Sequence, residues 1–271
     1  MAKNSLGQLA RLDRPIAVGR YLAGKGHQMT SFDELFAAFA ECTKCREYIP
    51  EIGLMPENGF RFHWKPYLRG EPPLRFVFLG WEPSWPTTWE SIEEGNFSTP
   101  LQFAIREFLF ANQPQTGFMI TNVAQCSMKT GDLCNKTREA RFRTCGEFLR
   151  SEVQLASSGT RKMQIVAIGL QPVYFLKSHP ELLGTIVENP SVHRITHYSP
   201  RCTPHFRRFA NDSHEEFAVF TEMMRPKYEA FIQSKEFQEH GPWYFQNTEN
   251  AKRDLERLFK WKHEMAAIQA C

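Results

Sequence analysis

The chain has 271 residues, long enough to bury a substantial core in one large domain or two small ones. It is rich in aromatic residues, with 23 Phe and 6 Trp, but no stretch is long and apolar enough to cross a bilayer, and the formal net charge of +3 permits nucleic-acid binding without requiring it. An odd count of 7 cysteines and a polar start at Met1 with no apolar signal core favour the reducing cytoplasm over secretion.

The first predicted helix follows residues 1–30, which are polar and basic and form a predicted N-terminal extension. Ser31 can cap this helix, Glu34 follows three residues later, and apolar residues recur at helical spacing on the way to Cys42. Residues 49–74 are rich in Pro and Gly, and they predict loops.

Strands and helices alternate over the middle of the chain. Short apolar runs predict four buried strands, at 75–80, 117–123, 164–169 and 192–198. Helical spacing predicts helices at 99–112, 137–155 and 171–178, and two or three amphipathic helices over 214–271. The alternation predicts an α/β fold, a three-layer α/β/α sandwich with a central, mostly parallel four-stranded sheet. We expect one domain at 31–213, with 214–271 packed on it as a C-terminal helical extension.

Polar segments follow three of the predicted strands. They are Gly80–Ser84 after the first strand, Thr121–Asn122 after the second and His197–Arg201 after the fourth. In sheets of this class ligands bind beyond the carboxyl ends of the strands. We therefore expect the three segments to converge at one edge of the sheet.

Four of the cysteines have the spacing of a metal site. Cys42 and Cys45 form a CxxC pair, and Cys126 and Cys145 are distant single residues. A CxxC turn directs two sulfurs to one ion or cluster, and a soft four-thiolate set binds zinc or an iron–sulfur cluster. The spacing alone leaves zinc, an iron–sulfur cluster and plain buried thiols open.

Five segments, taken in order, resemble motifs of the uracil-DNA glycosylase superfamily, and most closely those of its iron–sulfur, family 4-like branch. The resemblance covers residues 40–210, and five weak motifs in the right order at compatible spacings make a strong signal. The segments are Gly80-Trp81-Glu82-Pro83, the Gly-Asn-Phe-Ser run with Phe97, Thr121-Asn122-Val-Ala-Gln-Cys126, Cys145-Gly-Glu-Phe-Leu and His197-Tyr198-Ser199-Pro200. The resemblance implies a [4Fe–4S] cluster held by Cys42, Cys45, Cys126 and Cys145.

The resemblance also implies a pocket for a uracil base that has been rotated out of DNA. Phe97 would stack on the base, and the Asn122 amide would donate to O4 and accept from N3–H, which suits uracil and not cytosine. His197 would donate to O2 as negative charge develops there, and Glu82 would orient water and stabilise the sugar cation. The other expected substrate contacts are Gly80, Trp81, Pro83, Ser199 and Arg201.

Some positions depart from the family patterns. Many family 4 members carry a Glu where this chain has Trp81, so the carboxylate of Glu82 is placed more as in family 1. Arg201 stands where family 1 has a wedging Leu, and Tyr198 replaces a Pro. Ser84 replaces the family 1 Tyr that excludes thymine, and Trp81 or Trp85 could supply that bulk instead.

We interpret the sequence as a monomeric uracil-DNA glycosylase of base excision repair, which would act on uracil-containing DNA and leave an abasic site. Two other interpretations stay open. One is a superfamily member that binds uracil or abasic DNA but turns over slowly or stays trapped on its product. The other is an iron–sulfur nucleic-acid-binding protein with no glycosylase activity.

Overall fold

A computed structural model describes residues 30–40, 42, 67–82, 99–111, 117–125, 135–157, 163–182, 192–198, 200–233 and 248–269. Within these residues the protein is an α/β fold with a mixed five-stranded sheet and more helix than strand. The strands are β1 (Tyr67–Arg69), β2 (Phe76–Gly80), β3 (Phe118–Asn122), β4 (Gln164–Ile168) and β5 (Val192–Ile195). They lie side by side in the order β1-β3-β2-β4-β5.

The four predicted strands are confirmed as β2 to β5, and all four run parallel. The prediction of a four-stranded sheet is wrong, because β1 adds a fifth strand that pairs antiparallel with β3. Residues 67–69 fall within the segment predicted to be loops. Three residues are too few to show the alternation that identifies a strand, and the Gly and Pro residues around β1 favour the loop prediction.

Seven helices accompany the sheet in the described part of the chain, and the predicted helices at 99–112, 137–155 and 171–178 are among them. Ser31 caps the first helix as predicted, because its hydroxyl accepts from the Glu34 N–H at 3.2 Å. The helices are α1 (Phe32–Ala40), α2 (Thr99–Ala104, continued by a π-helical turn Ile105–Leu109), α3 (Asn135–Ser157), α4 (Gln171–Ser178), α5 (Thr203–Asp212), α6 (His214–Gln233) and α7 (Thr248–Gln269).

The three central strands β2, β3 and β4 are buried on both faces, which explains their continuous apolar runs. Phe76 and Phe78 of β2 belong to one core cluster, together with side chains of α2, α5, α6 and α7. Val77 and Leu79 alternate with them and belong to a second cluster, formed with α3 and α4. Because successive strand residues face opposite sides, the two clusters lie on opposite faces of the sheet. Full burial of each such side chain stabilises the fold by about 1.5–3 kcal/mol.

One helix lies outside this arrangement. Leu35 of α1 packs against Phe148 of α3 in a small separate cluster, so α1 contacts a helix that itself covers the sheet. Among the described residues, no helix combines the length and the apolar character that a membrane crossing requires.

Candidate functional site

The carboxyl ends of β2 and β4 lie side by side at the centre of the sheet. From β2 the chain goes to β3 on one side and then returns to β4 on the other side of β2. In open α/β sheets, ligands bind in the crevice that such a reversal leaves beyond the carboxyl ends. Here β2 ends at Gly80, and Gly169 directly follows β4. The topology therefore places a candidate site over these two glycines.

The Asn122 side chain lies directly over Gly80. The two residues are partners in the parallel register of β2 and β3, and a Cβ added at Gly80 would stand 2.3 Å from Asn122 Oδ1. The ladder continues past them, because the Val123 N–H donates to the Gly80 carbonyl at 3.0 Å. Only 6% of Asn122 is exposed. Glycine at position 80 therefore leaves the space that this buried amide occupies.

His197 has the matching position on the other side of the crevice. A Cβ added at Gly169 would stand 3.2 Å from the His197 Cβ, and Gly169 has a φ of +93°, which L side chains rarely adopt. The imidazole stacks on the Tyr198 ring, with centroids 4.6 Å apart. Burial, and secondarily the charge of Arg257, lower the pKa of His197 below its usual 6.5. At pH 7 the ring is therefore neutral and offers a single N–H donor.

Asn122 ends β3 and His197 follows β5, and these two strands flank β2 and β4 in the sheet. The two side chains lie over glycines at the carboxyl ends of β2 and β4, which are about 5 Å apart. A buried amide and a neutral imidazole consequently flank one crevice at the point where the chain reverses. Both sequence-predicted residues therefore lie at the carboxyl-end edge of the sheet.

A buried polar network lies next to Asn122. Thr121 Oγ1 donates to Glu152 Oε2 at 2.7 Å, and Gln125 Nε2 donates to Glu152 Oε1 at 2.9 Å and to the Asn122 carbonyl at 2.8 Å. Burial raises the pKa of the Glu152 carboxyl to about 8, although the Thr121 hydrogen bond lowers it, so the group is protonated at neutral pH. Sequence analysis missed this network, since a single Glu in a predicted helix carries no sign of a partner 31 residues away.

Glu82 is held by α3. Its carboxylate accepts from the Arg141 guanidinium, which is fully buried, while 21% of the Glu82 side chain stays exposed. Trp81 stacks on Phe142 of the same helix, with ring centroids 3.6 Å apart. Glu82 therefore neutralises a buried cation, a role that sequence analysis missed because helical spacing alone does not show that Arg141 is buried. The predicted action of Glu82 on water stays a prediction.

The remaining predicted contacts are placed only in part. Arg201 is exposed in the short turn Pro200–Cys202 that precedes α5. Pro83, Phe97 and Ser199 lie outside the described residues. Their predicted contacts with a substrate stay predictions.

Two of the four predicted cluster ligands, Cys42 and Cys145, lie within the described residues. Cys42 follows α1 and packs against the cluster of Leu35 and Phe148. Cys145 is 4% exposed and belongs instead to the cluster between α3 and the sheet. Cys45 and Cys126 lie outside the described residues. Among the residues that the structure describes, no group of three or more His, Cys, Asp or Glu side chains could hold a metal ion. The four-thiolate cluster stays a prediction.

The chain matches no model of a known protein family, and no curated protein matches it.

Proposed function

We propose that this chain is a uracil-DNA glycosylase, which hydrolyses the N-glycosidic bond of deoxyuridine in DNA and leaves an abasic site for base excision repair. The observation that carries the proposal is the placement of Asn122 and His197 over Gly80 and Gly169. An amide that reads the edge of a base and a neutral donor for the leaving group are two requirements of a uracil-excising pocket.

Asn122 suits the edge of uracil. A base in a duplex is out of reach and must first be rotated into a pocket. The amide N–H can donate to uracil O4, and the amide oxygen can accept from uracil N3–H. Cytosine would instead place its N4 amino donor against the amide N–H and its N3 acceptor against the amide oxygen. Because Asn122 is 6% exposed, that mismatch would leave buried polar atoms unpaired, at a cost of about 1–3 kcal/mol.

His197 suits the leaving group. When the bond between C1′ and N1 breaks, its electron pair moves into the uracil ring and charge develops on O2. A neutral imidazole can donate its N–H to O2 without losing the proton, and one such donor contributes about 3 kcal/mol to transition-state stabilisation. Stacking on Tyr198 and contact with Gly169 fix the ring.

Glu82 suits the last step, in which the water oxygen bonds to C1′ and the proton that the water loses neutralises the released uracil anion. The exposed part of its carboxylate would orient that water and stabilise the positive charge on the sugar. The ion pair with Arg141 holds the carboxylate in place.

The proposal includes a [4Fe–4S] cluster held by Cys42, Cys45, Cys126 and Cys145. Such a cluster would be structural, tying α1 to α3 and to the segment that follows Gln125, and its thiolates suit the reducing cytoplasm. The protein would act as a monomer on uracil-containing DNA, with the exposed Arg201 near the phosphates. The helices on the two faces of the sheet would form the outer layers of a three-layer sandwich.

The test is an assay on single- and double-stranded oligonucleotides that contain one uracil. We expect wild-type protein to produce abasic sites, His197→Gln to lose about 100-fold in turnover, and Asn122→Asp to lose activity on uracil because an acceptor replaces the donor. His179→Gln is the matched control, since His179 bonds the Phe175 carbonyl at the far end of α4. An iron-loaded wild-type protein that yields no abasic product would refute the proposal.

The assay also identifies the two alternatives. A product that stays attached through denaturation would indicate a trapping protein. Tight binding of uracil-containing DNA with no product at all would indicate a non-catalytic binding protein.

A further inference from the structure

Two side chains of α7, Trp261 and Glu264, hold the segment that leads to His197. Trp261 Nε1 donates to the carbonyl of Thr196 at 2.9 Å. The Thr196 N–H donates to Glu264 Oε2 at 2.8 Å, and its hydroxyl donates to Glu264 Oε1 at 2.6 Å. All three polar groups of Thr196 therefore bond to one helix that lies more than 60 residues further along the chain.

These bonds begin where the sheet stops. The register of β5 with β4 ends at Ile195, whose carbonyl accepts from the Gly169 N–H at 2.9 Å. Thr196 is the next residue and His197 the one after it. The backbone between the sheet and the imidazole is thus fixed by side chains of α7.

The helix itself is anchored. Trp261 is fully buried and meets Phe206 of α5 edge to face, with ring centroids 5.7 Å apart. Two turns earlier in α7, Asp254 accepts from Arg257 at 3.0 Å and from the Tyr228 hydroxyl of α6 at 2.9 Å. Because these contacts join α7 to α5 and α6, a shift of Thr196 would require several buried groups to move together.

We propose that α7 is a positioning element for His197, with Trp261 and Glu264 holding Thr196 so that the next side chain stays over Gly169. The inference rests on the proposed function, in which His197 is the donor to the leaving group. It gives the C-terminal segment a part in the reaction that the sequence motifs do not contain. Trp261 and Glu264 are positioning residues, because they act through Thr196.

The rate of the proposed reaction depends on the position of the His197 ring. A displacement of about 1 Å at a reacting group costs on the order of 100-fold in rate. A group that acts on the transition state affects kcat, whereas ground-state binding would affect KM. Loss of the α7 contacts should therefore lower kcat and leave KM nearly unchanged.

The first test compares variants of Glu264 with a control on the same helix. We expect Glu264→Ala to lower kcat by about 10- to 100-fold with KM within about threefold of wild type. Glu264→Gln should restore part of the loss, because an amide can accept from the Thr196 N–H and donate to its hydroxyl. His263→Ala is the control: His263 bonds Glu216 of α6 at 3.0 Å and should leave kcat unchanged.

The second test uses near-isosteric changes of buried rings. Trp261→Phe removes the N–H that bonds Thr196 and keeps most of the packing, and it should lower kcat by about tenfold. Phe259→Leu removes ring volume from the same core cluster without touching Thr196, and it should leave kcat unchanged. Urea unfolding of each variant shows whether stability explains any difference.

A readout that does not need activity is the NMR signal of the His197 ring, assigned by its loss in His197→Gln. The signals should shift in Glu264→Ala and Trp261→Phe and stay in place in both controls. Unmoved signals would overturn the inference, as would a normal kcat in an active enzyme, or an equal loss of kcat in the controls. If wild-type protein has no glycosylase activity, the proposed function fails and the ring signals alone decide the inference.

Discussion

Replacing Gly80 by Ala should lower activity by about 100-fold without unfolding the protein. The added Cβ would stand 2.3 Å from Asn122 Oδ1, whereas ordinary contact begins near 3.4 Å, so the amide has to move by about 1 Å. The atom in the way belongs to a side chain, which can rotate, and alanine is easier to order than glycine by about 0.5–1 kcal/mol. A 1 Å displacement of a base-reading group costs on the order of 100-fold in rate, or about 2.7 kcal/mol.

The assay is single-turnover cleavage of a uracil-containing oligonucleotide, together with thermal unfolding. Gly117→Ala is the matched control, because a Cβ there would stand 2.6 Å from Leu74 Cδ2 at the opposite end of β3. It imposes a similar clash on a side chain far from the crevice and should leave turnover unchanged. The reasoning would be refuted if Gly80→Ala kept turnover within about threefold of wild type, or if Gly117→Ala lost as much.

Glu152→Gln should flatten the dependence of the free energy of unfolding on pH. Burial raises the pKa of Glu152 from 4.5 to about 8, so its contribution to stability is complete below pH 4.5 and is lost as the pH rises through 8. The loss between these two values is about 1.4 kcal/mol per pH unit. Urea unfolding between pH 5 and 8 measures this, and parallel curves for wild type and variant would contradict it. Glu82→Gln should lower the free energy of unfolding by about 2–3 kcal/mol, because buried Arg141 loses its anion, and an unchanged urea midpoint would count against the ion pair. Cys145→Ser should remove iron and the visible absorbance of the purified protein, whereas Cys202→Ser should keep both. Stoichiometric zinc without iron in the wild type would disprove the cluster.

Local pattern was sufficient to predict the four parallel strands and most helices. Each of these elements has a repeat of apolar residues that is visible within one window of sequence, because burial on one or both faces imposes that repeat. The strand β1 escaped because three residues have no repeat. Its existence depends on pairing with β3, about fifty residues later in the chain.

The candidate site was predictable in its residue types and not in its geometry. The motifs identified Asn122 and His197 as a base-reading amide and a donor. They do not show that each of these side chains lies over a glycine at the end of the neighbouring strand. That Asn122 lies over Gly80, and His197 over Gly169, follows from the strand order. The partner of Glu82 was also hidden, since a buried Arg141 cannot be distinguished from an exposed one by helical spacing alone.

By itself the sequence determined the α/β class, the order of the parallel strands along the chain, and a set of polar residues at their carboxyl ends. The tertiary structure decided which glycines lie beneath Asn122 and His197, that burial raises the pKa of Glu152, and that α7 holds the backbone before His197. The physical reason is the range of the interactions. Helices and strands follow from contacts between residues a few positions apart, whereas a crevice and its supports depend on side chains that only the packed sheet brings within hydrogen-bonding distance.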